Sequence, residues 1–182
     1  MNKNINLNSA NIINIRKELD TNIAKYWKII RTENVISKKA KASGLGSGYD
    51  LKALYNEITQ MAEKRIIVKA MLNYLNSGIT TFDYEEFKKT NNYSIFAAGE
   101  AKEAIAQLKM ISTINPSEKA KKGKNGLSKT ETFTSAKIAQ LIKEQQMLAN
   151  KFDANLKEFN DNTSIELKDD YIADKFKIYA IL

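Results

Sequence analysis

The feature that most constrains this chain is a row of apolar residues at three- and four-residue spacing between residues 51 and 75. Such spacing places side chains on one face of an α-helix, and random placement of apolar residues rarely sustains it. A helix over 50–76 follows, with Asp50 as its N-cap and Asn76-Ser77-Gly78 as its stop. We interpret the row as a helical seam that binds a partner. Its members are Leu51, Leu54, Ile58, Met61, Arg65, Val68, Leu72 and Leu75.

Few residues interrupt the chain elsewhere, since its 182 residues include one proline, Pro116, and seven glycines. Long helices are therefore expected. The predicted elements are helices over 9–41, 94–114 and 134–161, a basic loop over 117–133 and a tail over 163–182 that docks on the bundle or on a neighbouring subunit. The glycine-rich stretch 43–48 follows a helix and lacks a Gly-Lys-Ser/Thr ending, so we interpret it as a turn rather than a phosphate loop.

Heptad-like rows recur in the other predicted helices. The first helix has Ile12, Ile15, Leu19, Tyr26, Ile29 and Ile36, with Asn22 and Glu33 in the same seam, and begins at Ser9 as N-cap. The third has Ala98, Ala101, Ile105 and Leu108, and its small residues, Gly99 included, would let a neighbouring helix approach closely. The fourth has Ile138, Leu141, Leu148, Phe152 and Phe159, with Gln145 and Asn155 as polar members. Polar seam residues often fix register and partner number in coiled coils.

These rows predict an all-α fold: one elongated domain, built as an antiparallel helical bundle or as coiled-coil hairpins, with minor irregular or short β segments. Between Ile79 and Asn92 the helical period fades and aromatic residues accumulate. We interpret this stretch as a strand or single helical turn whose rings cover one end of the bundle. A long, narrow bundle leaves seam surface open, so self-association is expected.

The absence of two residue types limits the chemistry available to the chain. It has no cysteine and no histidine, which excludes disulfides, cysteine nucleophiles, serine–histidine triads and ordinary zinc sites. Adjacent acids such as Glu85 and Glu86 point apart on a helix. We therefore predict a non-enzymatic protein without a cofactor. No apolar run of signal-peptide or membrane-span length is present, so a cytoplasmic location away from the membrane is expected.

Positive charge is concentrated in two stretches. Residues 1–49 carry nine Lys or Arg against three acids, and residues 117–129 carry five Lys against one Glu, in a chain of net charge +8. This asymmetry supports an alternative hypothesis, sequence-nonspecific binding of nucleic acid through phosphates. The candidate phosphate-contacting residues are Lys17, Lys28, Lys38, Lys39, Lys41, Lys119, Lys121, Lys122, Lys124 and Lys129.

The run from Lys143 to Asp153, continuing through Asn160, Asp161, Asn162 and Thr163 to Glu166-Leu167, resembles the C-terminal helix of septicolysin-like small bacterial coiled-coil proteins. The order of predicted elements over about 49–167 is also similar to that family. This chain departs from the family in having Thr163, rather than a tryptophan, after Asn162. The resemblance implies an intracellular coiled-coil protein.

The leading hypothesis from the sequence is thus a coiled-coil interaction or structural protein that self-associates or binds a protein partner. An origin in a phage or mobile element fits that hypothesis equally well.

Overall fold

The computed structural model describes residues 6–37, 48–113 and 129–165. Five helices and one pair of short strands account for most of this part of the chain. In chain order the elements are α1 (Ser9–Glu33), β1 (Val35–Ser37), α2 (Leu51–Asn76), α3 (Tyr84–Phe87), α4 (Asn91–Lys109), β2 (Lys129–Glu131) and α5 (Ser135–Asn162). The predicted all-α fold is confirmed. The short β segment that accompanies it is the antiparallel pair of β1 and β2, in which Ser37 lies opposite Lys129.

Polar side chains set the starts of the long helices. Asp50 accepts hydrogen bonds from the backbone N–H groups of Lys52 and Ala53, as predicted for α2. Thr134 accepts from Lys137 at the start of α5. At α1 the N-cap is Asn8, which exchanges side-chain-to-backbone hydrogen bonds with Asn11, and the prediction of Ser9 as N-cap was wrong by one residue. These caps occupy N–H groups that have no partner within the helix.

The end of α2 follows the predicted Asn76-Ser77-Gly78 signal. Gly78 has φ +76°, a left-handed conformation that residues with a Cβ rarely adopt. This conformation lets the N–H of Ile79 donate to the carbonyl of Tyr74 at 2.9 Å and the N–H of Gly78 donate to Leu75 at 3.0 Å. Carbonyls in the last turn of α2 are thereby satisfied.

The four long helices form two antiparallel hairpins. In the first, the rings of Trp27 on α1 and Tyr55 on α2 meet edge to face at 5.9 Å, and Ile12, near the other end of α1, packs in the cluster that holds Leu75. In the second, α4 packs extensively along α5. Tyr93 near the start of α4 meets Phe152 with ring centroids 5.8 Å apart. The hairpins join mainly where α2 packs on α4.

An aromatic cluster covers one end of the bundle, as the sequence predicted for residues 79–92. Its centre is Phe87 in the single-turn helix α3, which is fully buried. The ring of Phe87 lies 5.7 Å from that of Phe82, 5.8 Å from Tyr93 and 6.2 Å from Tyr74. Tilted and edge-to-face rings at these distances fill space efficiently and attract one another electrostatically. This cluster ties α2, α3 and α4 together.

The first helix is shorter than predicted. It ends at Glu33, and Val35–Ser37 form β1 instead of the last turns of a helix to Lys41. The physical reason is the strand partner: Val35 and Ile36 are β-branched residues that favour extended backbone, and β2 offers them a ladder. Ile36 is therefore not a seam residue of α1. Residues 38–41 lie outside the described part of the chain.

The heptad phase is also shifted within α1 and α5. Ile15 is 37% exposed, and the buried positions of α1 are Ile12, Leu19, Ile23, Trp27 and Ile30. The pairs Ile12 and Ile23, Leu19 and Ile30, and Ile138 and Ala149 are all separated by eleven residues. Eleven residues complete three turns of an almost straight helix, whereas a heptad seam requires supercoiling to 3.5 residues per turn. Seven-residue steps also occur among the buried positions of α1, from Ile12 to Leu19 and from Ile23 to Ile30.

The third predicted row was correct in its buried members and wrong about one glycine. Ala98, Ala101, Ile105 and Leu108 are all buried in the core. Gly99 is exposed, and a Cβ built there would meet nothing within 4 Å. The close packing of α4 therefore uses its alanines and not Gly99.

Candidate functional site

The predicted partner-binding row of α2 lies inside the chain's own core. Leu51, Ile58, Arg65 and Val68 are buried, and the other four members, Leu54, Met61, Leu72 and Leu75, are partly buried against the same clusters. The residues that cover the row come from α1 and, near Leu51 and Ile58, from α4 and α5 as well. The periodicity of α2 thus reflects intramolecular packing. A partner could reach these side chains only if the hairpins separated.

Arg65, the one charged member of that row, sits in a buried ion network. Its Nε donates to both carboxylate oxygens of Glu100, at 2.9 and 3.1 Å, and its Nη2 also contacts Glu100. Nη1 donates to Asp20 at 3.0 Å and Nη2 to Glu103 at 2.7 Å. The network joins α1, α2 and α4, because Asp20 lies on α1 and both glutamates lie on α4. Lys69 also contacts Glu100, at 2.8 Å.

The electrostatics of the network favour the protonated, charged form of Arg65. Burial alone would lower the pKa of Arg65, but the hydrogen bonds and charges of Glu100, Asp20 and Glu103 outweigh burial and raise that pKa. The guanidinium is therefore a fixed cation and cannot act as an acid or base. Every buried polar side-chain atom in the described residues has a hydrogen-bond partner. This network is a structural cross-link between three helices.

Sequence reasoning missed a second buried polar residue, Asn34. It is 1% exposed. Its Nδ2 donates to the carbonyls of Ser112 at 2.8 Å and Phe133 at 3.0 Å, and its Oδ1 accepts the N–H of Phe133 at 2.7 Å. The side-chain amide thus pairs with Phe133 as a strand residue would. The partners lie 78 and 99 positions away in sequence, so local pattern could not reveal them.

The candidate phosphate-contacting lysines are only partly within the described structure. Lys17 and Lys28 lie exposed on α1, about 20° apart around the helix at 100° per residue. Lys129 belongs to β2, where only its backbone is described. The other seven, Lys38, Lys39, Lys41, Lys119, Lys121, Lys122 and Lys124, lie outside the described residues. The structure therefore brings two of the ten onto one exposed helical face.

A cleft of about 430 Å³ opens between the beginnings of α2 and α5. Its floor includes Phe133 and Leu141, both buried, and its rim includes Lys52 and Lys137. Tyr55 lines the cleft as well, and burial, together with the charge of Glu144, raises the pKa of its hydroxyl against the opposing hydrogen bond from Gln145. No carboxylate lines this cleft in the described residues.

An exposed apolar surface lies on α5. Leu148 is 44% exposed and Phe159 is 46% exposed, and eleven residues of helix place them only about 20° apart around the axis. Asn155 lies between them and is exposed, while Phe152 is half-buried because its ring also meets Tyr93. We call these four residues, Leu148, Phe152, Asn155 and Phe159, the α5 row. It is the distal half of the seam predicted for the fourth helix.

The end of the α5 row that carries Phe159 is exposed because α5 extends past the start of its partner helix α4. Phe152 lies opposite Tyr93, which is only two residues from the first residue of α4. α5 nevertheless continues to Asn162. From residue 153 to residue 165 every side chain is exposed except the half-buried Leu156. Phe159, which is 46% exposed, thus lies in the part of α5 that extends past the start of α4.

The described residues offer no arrangement of three or more acidic side chains suited to a metal ion. None of the described helices is both long enough and apolar enough to cross a membrane. No protein-family profile, no curated protein and no solved structure matches this chain.

Proposed function

We propose that this chain is a non-enzymatic interaction protein that binds a protein surface through the α5 row. The observation that supports the proposal is the pair Leu148 and Phe159, each nearly half exposed on one face of a helix that extends past its partner. Large apolar side chains at helical spacing, rimmed by charge, suit helix-to-helix docking. The α2 row, which the sequence offered for this role, is already covered. Partner binding, which the sequence predicted for the α2 row, is therefore assigned to the α5 row in this proposal.

The binding would be driven by removing Leu148, Phe159 and the free edge of Phe152 from water. These side chains are already about half covered, so burying the rest contributes about half of the roughly 1.5 to 3 kcal/mol that complete burial of such a side chain would give. Part of that gain is offset by the entropy lost when two molecules associate. A row of this size therefore predicts a reversible interaction rather than a permanent one.

Photo-crosslinking tests this proposal directly. A photoreactive phenylalanine analogue at position 159 should form a discrete adduct with protein when the chain is illuminated in the cells that produce it. The same analogue at position 157 is the matched control, because Lys157 is exposed on the same helix but about 160° away from Phe159 around the axis. Leu148→Glu in the chain labelled at position 159 should abolish the adduct. Equal adducts from both positions, or none from either, would contradict the proposal.

A second candidate function, nonspecific nucleic-acid binding, is favoured by one observation. Ser37 of β1 pairs with Lys129 of β2, and in the sequence Ser37 is followed directly by Lys38 and Lys39. The test is fluorescence anisotropy with a labelled mixed-sequence duplex at about 50 and 200 mM salt, where phosphate contacts predict a steep loss of affinity. Absence of binding at the lower salt would rule this candidate out.

A further inference from the structure

We infer that the partner of the α5 row is a second copy of this chain, bound antiparallel across a two-fold axis that passes near residues 153 and 154. The inference rests on the proposed function, because it names the partner of the same surface. It depends on three features of the row: its spacing, its near-symmetry and the charges beside it.

The spacing of the row is that of a short coiled-coil seam. Leu148, Phe152, Asn155 and Phe159 follow one another at four, three and four residues, which is the order of d, a, d and a positions. Reversing the direction of the chain leaves the order of spacings unchanged. An antiparallel second copy would therefore place Leu148 against Phe159 and Phe152 against Asn155, once on each side of the axis. A two-fold interface of this kind is self-complementary.

The flanking charges match this arrangement. Lys151 and Glu158 precede Phe152 and Phe159 by one residue, so both occupy g positions, and both are exposed. In an antiparallel pair the g residues of one helix face the g residues of the other, so Lys151 would meet Glu158 of the second copy twice. A parallel pair would instead set Lys151 against Leu156 and Glu158 against Thr163, where no opposite charge is available. Charge complementarity thus selects the antiparallel orientation.

These two charges have no competing partner within the described structure. The residues three and four positions from Lys151 are Leu148, Met147, Ala154 and Asn155. Those around Glu158 are Asn155, Ala154, Asp161 and Asn162. Neither Lys151 nor Glu158 forms an ion pair in the described residues, whereas the neighbouring Asp153 is held by Lys102 at 2.8 Å. Both charges are therefore available for an intermolecular pair.

A charge-swap series in the full chain tests the inference. Sedimentation equilibrium should show the wild-type chain in monomer–dimer exchange. Lys151→Glu and Glu158→Lys should each raise the apparent dissociation constant about tenfold, because each turns two attractive contacts into repulsive ones. The double variant Lys151→Glu/Glu158→Lys should regain wild-type affinity, since the pairs are restored with reversed polarity. Lys157→Glu, which changes the same charge on the opposite side of α5, should leave the constant unchanged.

Orientation is measured separately with a spin label. Because the chain has no cysteine, Lys143→Cys gives a single labelling position on the exposed surface of α5. The antiparallel dimer sets the two labelled positions about 30 Å apart along the axis, whereas a parallel pair would hold them about 10 Å apart, the spacing of packed helices. Circular dichroism of each variant verifies that the fold is retained.

The outcomes separate this inference from the proposed function. A wild-type chain that stays monomeric, a dimer that the double variant fails to restore, or a short distance between labels at position 143 would each overturn the inference. An adduct at position 159 that mass spectrometry identifies as a different protein would overturn the inference while supporting the proposed function. A lack of any adduct specific to position 159 would overturn both.

Discussion

The guanidinium of Arg65 on α2 is held by both carboxylate oxygens of Glu100 on α4, and both residues are less than a tenth exposed. Replacing Glu100 with a neutral residue leaves the buried Arg65 with only Asp20 and Glu103, whose side chains are 44% and 43% exposed and compensate its charge less well. Glu100→Gln should therefore lower the free energy of unfolding by about 3 to 5 kcal/mol. Urea unfolding followed by circular dichroism measures this loss.

Glu103→Gln is the matched control for that prediction. Glu103 contacts the same guanidinium, but its side chain is 43% exposed, so its loss should cost about 0 to 1 kcal/mol. The double variant Arg65→Met/Glu100→Leu should regain much of the stability lost in Glu100→Gln, because it leaves no buried charge unpaired. The three charges that lose a partner, Asp20, Glu103 and Lys69, are all partly exposed to solvent. Similar losses for the two single variants would mean that the buried Arg65–Glu100 pair contributes no more to the free energy of unfolding than the exposed contact with Glu103.

A second prediction concerns Asn34, which follows α1 and bonds the backbone on both sides of the second hairpin, at Ser112 after α4 and at Phe133 before α5. Asn34→Ala would leave the N–H of Phe133 and the carbonyls of Ser112 and Phe133 without their side-chain partner at a buried position. Each unsatisfied buried group costs about 1 to 3 kcal/mol, so the variant should be destabilised by at least about 2 kcal/mol in urea unfolding. Asn56→Ala, at an exposed position of α2, should stay within about 0.5 kcal/mol of the wild type. A neutral Asn34→Ala would contradict the role assigned to this residue.

Two phenylalanines should respond very differently to truncation. Phe87 is fully buried among aromatic rings, and Phe87→Ala should cost about 3 to 5 kcal/mol because it removes apolar contacts and leaves a cavity. Phe159 is 46% exposed on α5, and Phe159→Ala should change the stability of the monomer by less than about 0.5 kcal/mol. Thermal unfolding at low protein concentration measures both. A large loss in Phe159→Ala under those conditions would show that Phe159 packs within its own chain.

The α2 row could be predicted from sequence almost completely, because each of its positions meets the core and the periodicity is recorded along one uninterrupted helix. The rows of α1 and α5 were predicted less well. The heptad template places Tyr26, Ile29 and Leu148 in the seam. Tyr26 and Ile29 are partly buried against the core, with Trp27 and Ile30 buried more deeply beside them. Leu148 is exposed, and the buried residue beside it is Ala149. The shift of one residue is the drift between 3.5 and about 3.67 residues per turn.

Contacts between residues far apart in the chain could not be predicted at all. The sequence marks Arg65 as a polar member of an apolar row, but its partners Asp20 and Glu100 lie on other helices. The isolated Glu100 within the alanine-rich stretch 97–101 was the available signal. The premature end of α1 likewise depends on β2, a strand partner that lies about 100 residues away in sequence. Local pattern reports which face of a helix is buried, but not what covers it.

The ionisation of the Tyr84 hydroxyl should lower the free energy of unfolding at alkaline pH. Its pKa is raised to about 12, first by burial and then by the hydrogen bond that the hydroxyl donates to Glu63 at 3.1 Å. An unfolded tyrosine ionises near pH 10, so between pH 10 and about 12 the folded state retains a proton that the unfolded state has lost. The free energy of unfolding must therefore fall as the pH rises through this window, while below pH 10 this contribution is constant.

Tyr84→Phe tests that prediction, because it removes the ionisable group and should make the alkaline decline in the free energy of unfolding shallower. Tyr26 and Tyr55 also have raised pKa values, so part of the decline should persist in the variant. Glu63→Gln replaces the carboxylate with a neutral acceptor and should move the titration of Tyr84 to lower pH. That titration is followed by absorbance near 295 nm, as the difference from Tyr84→Phe. A slope in Tyr84→Phe as steep as in the wild type would mean that Tyr84 ionises equally easily in both states.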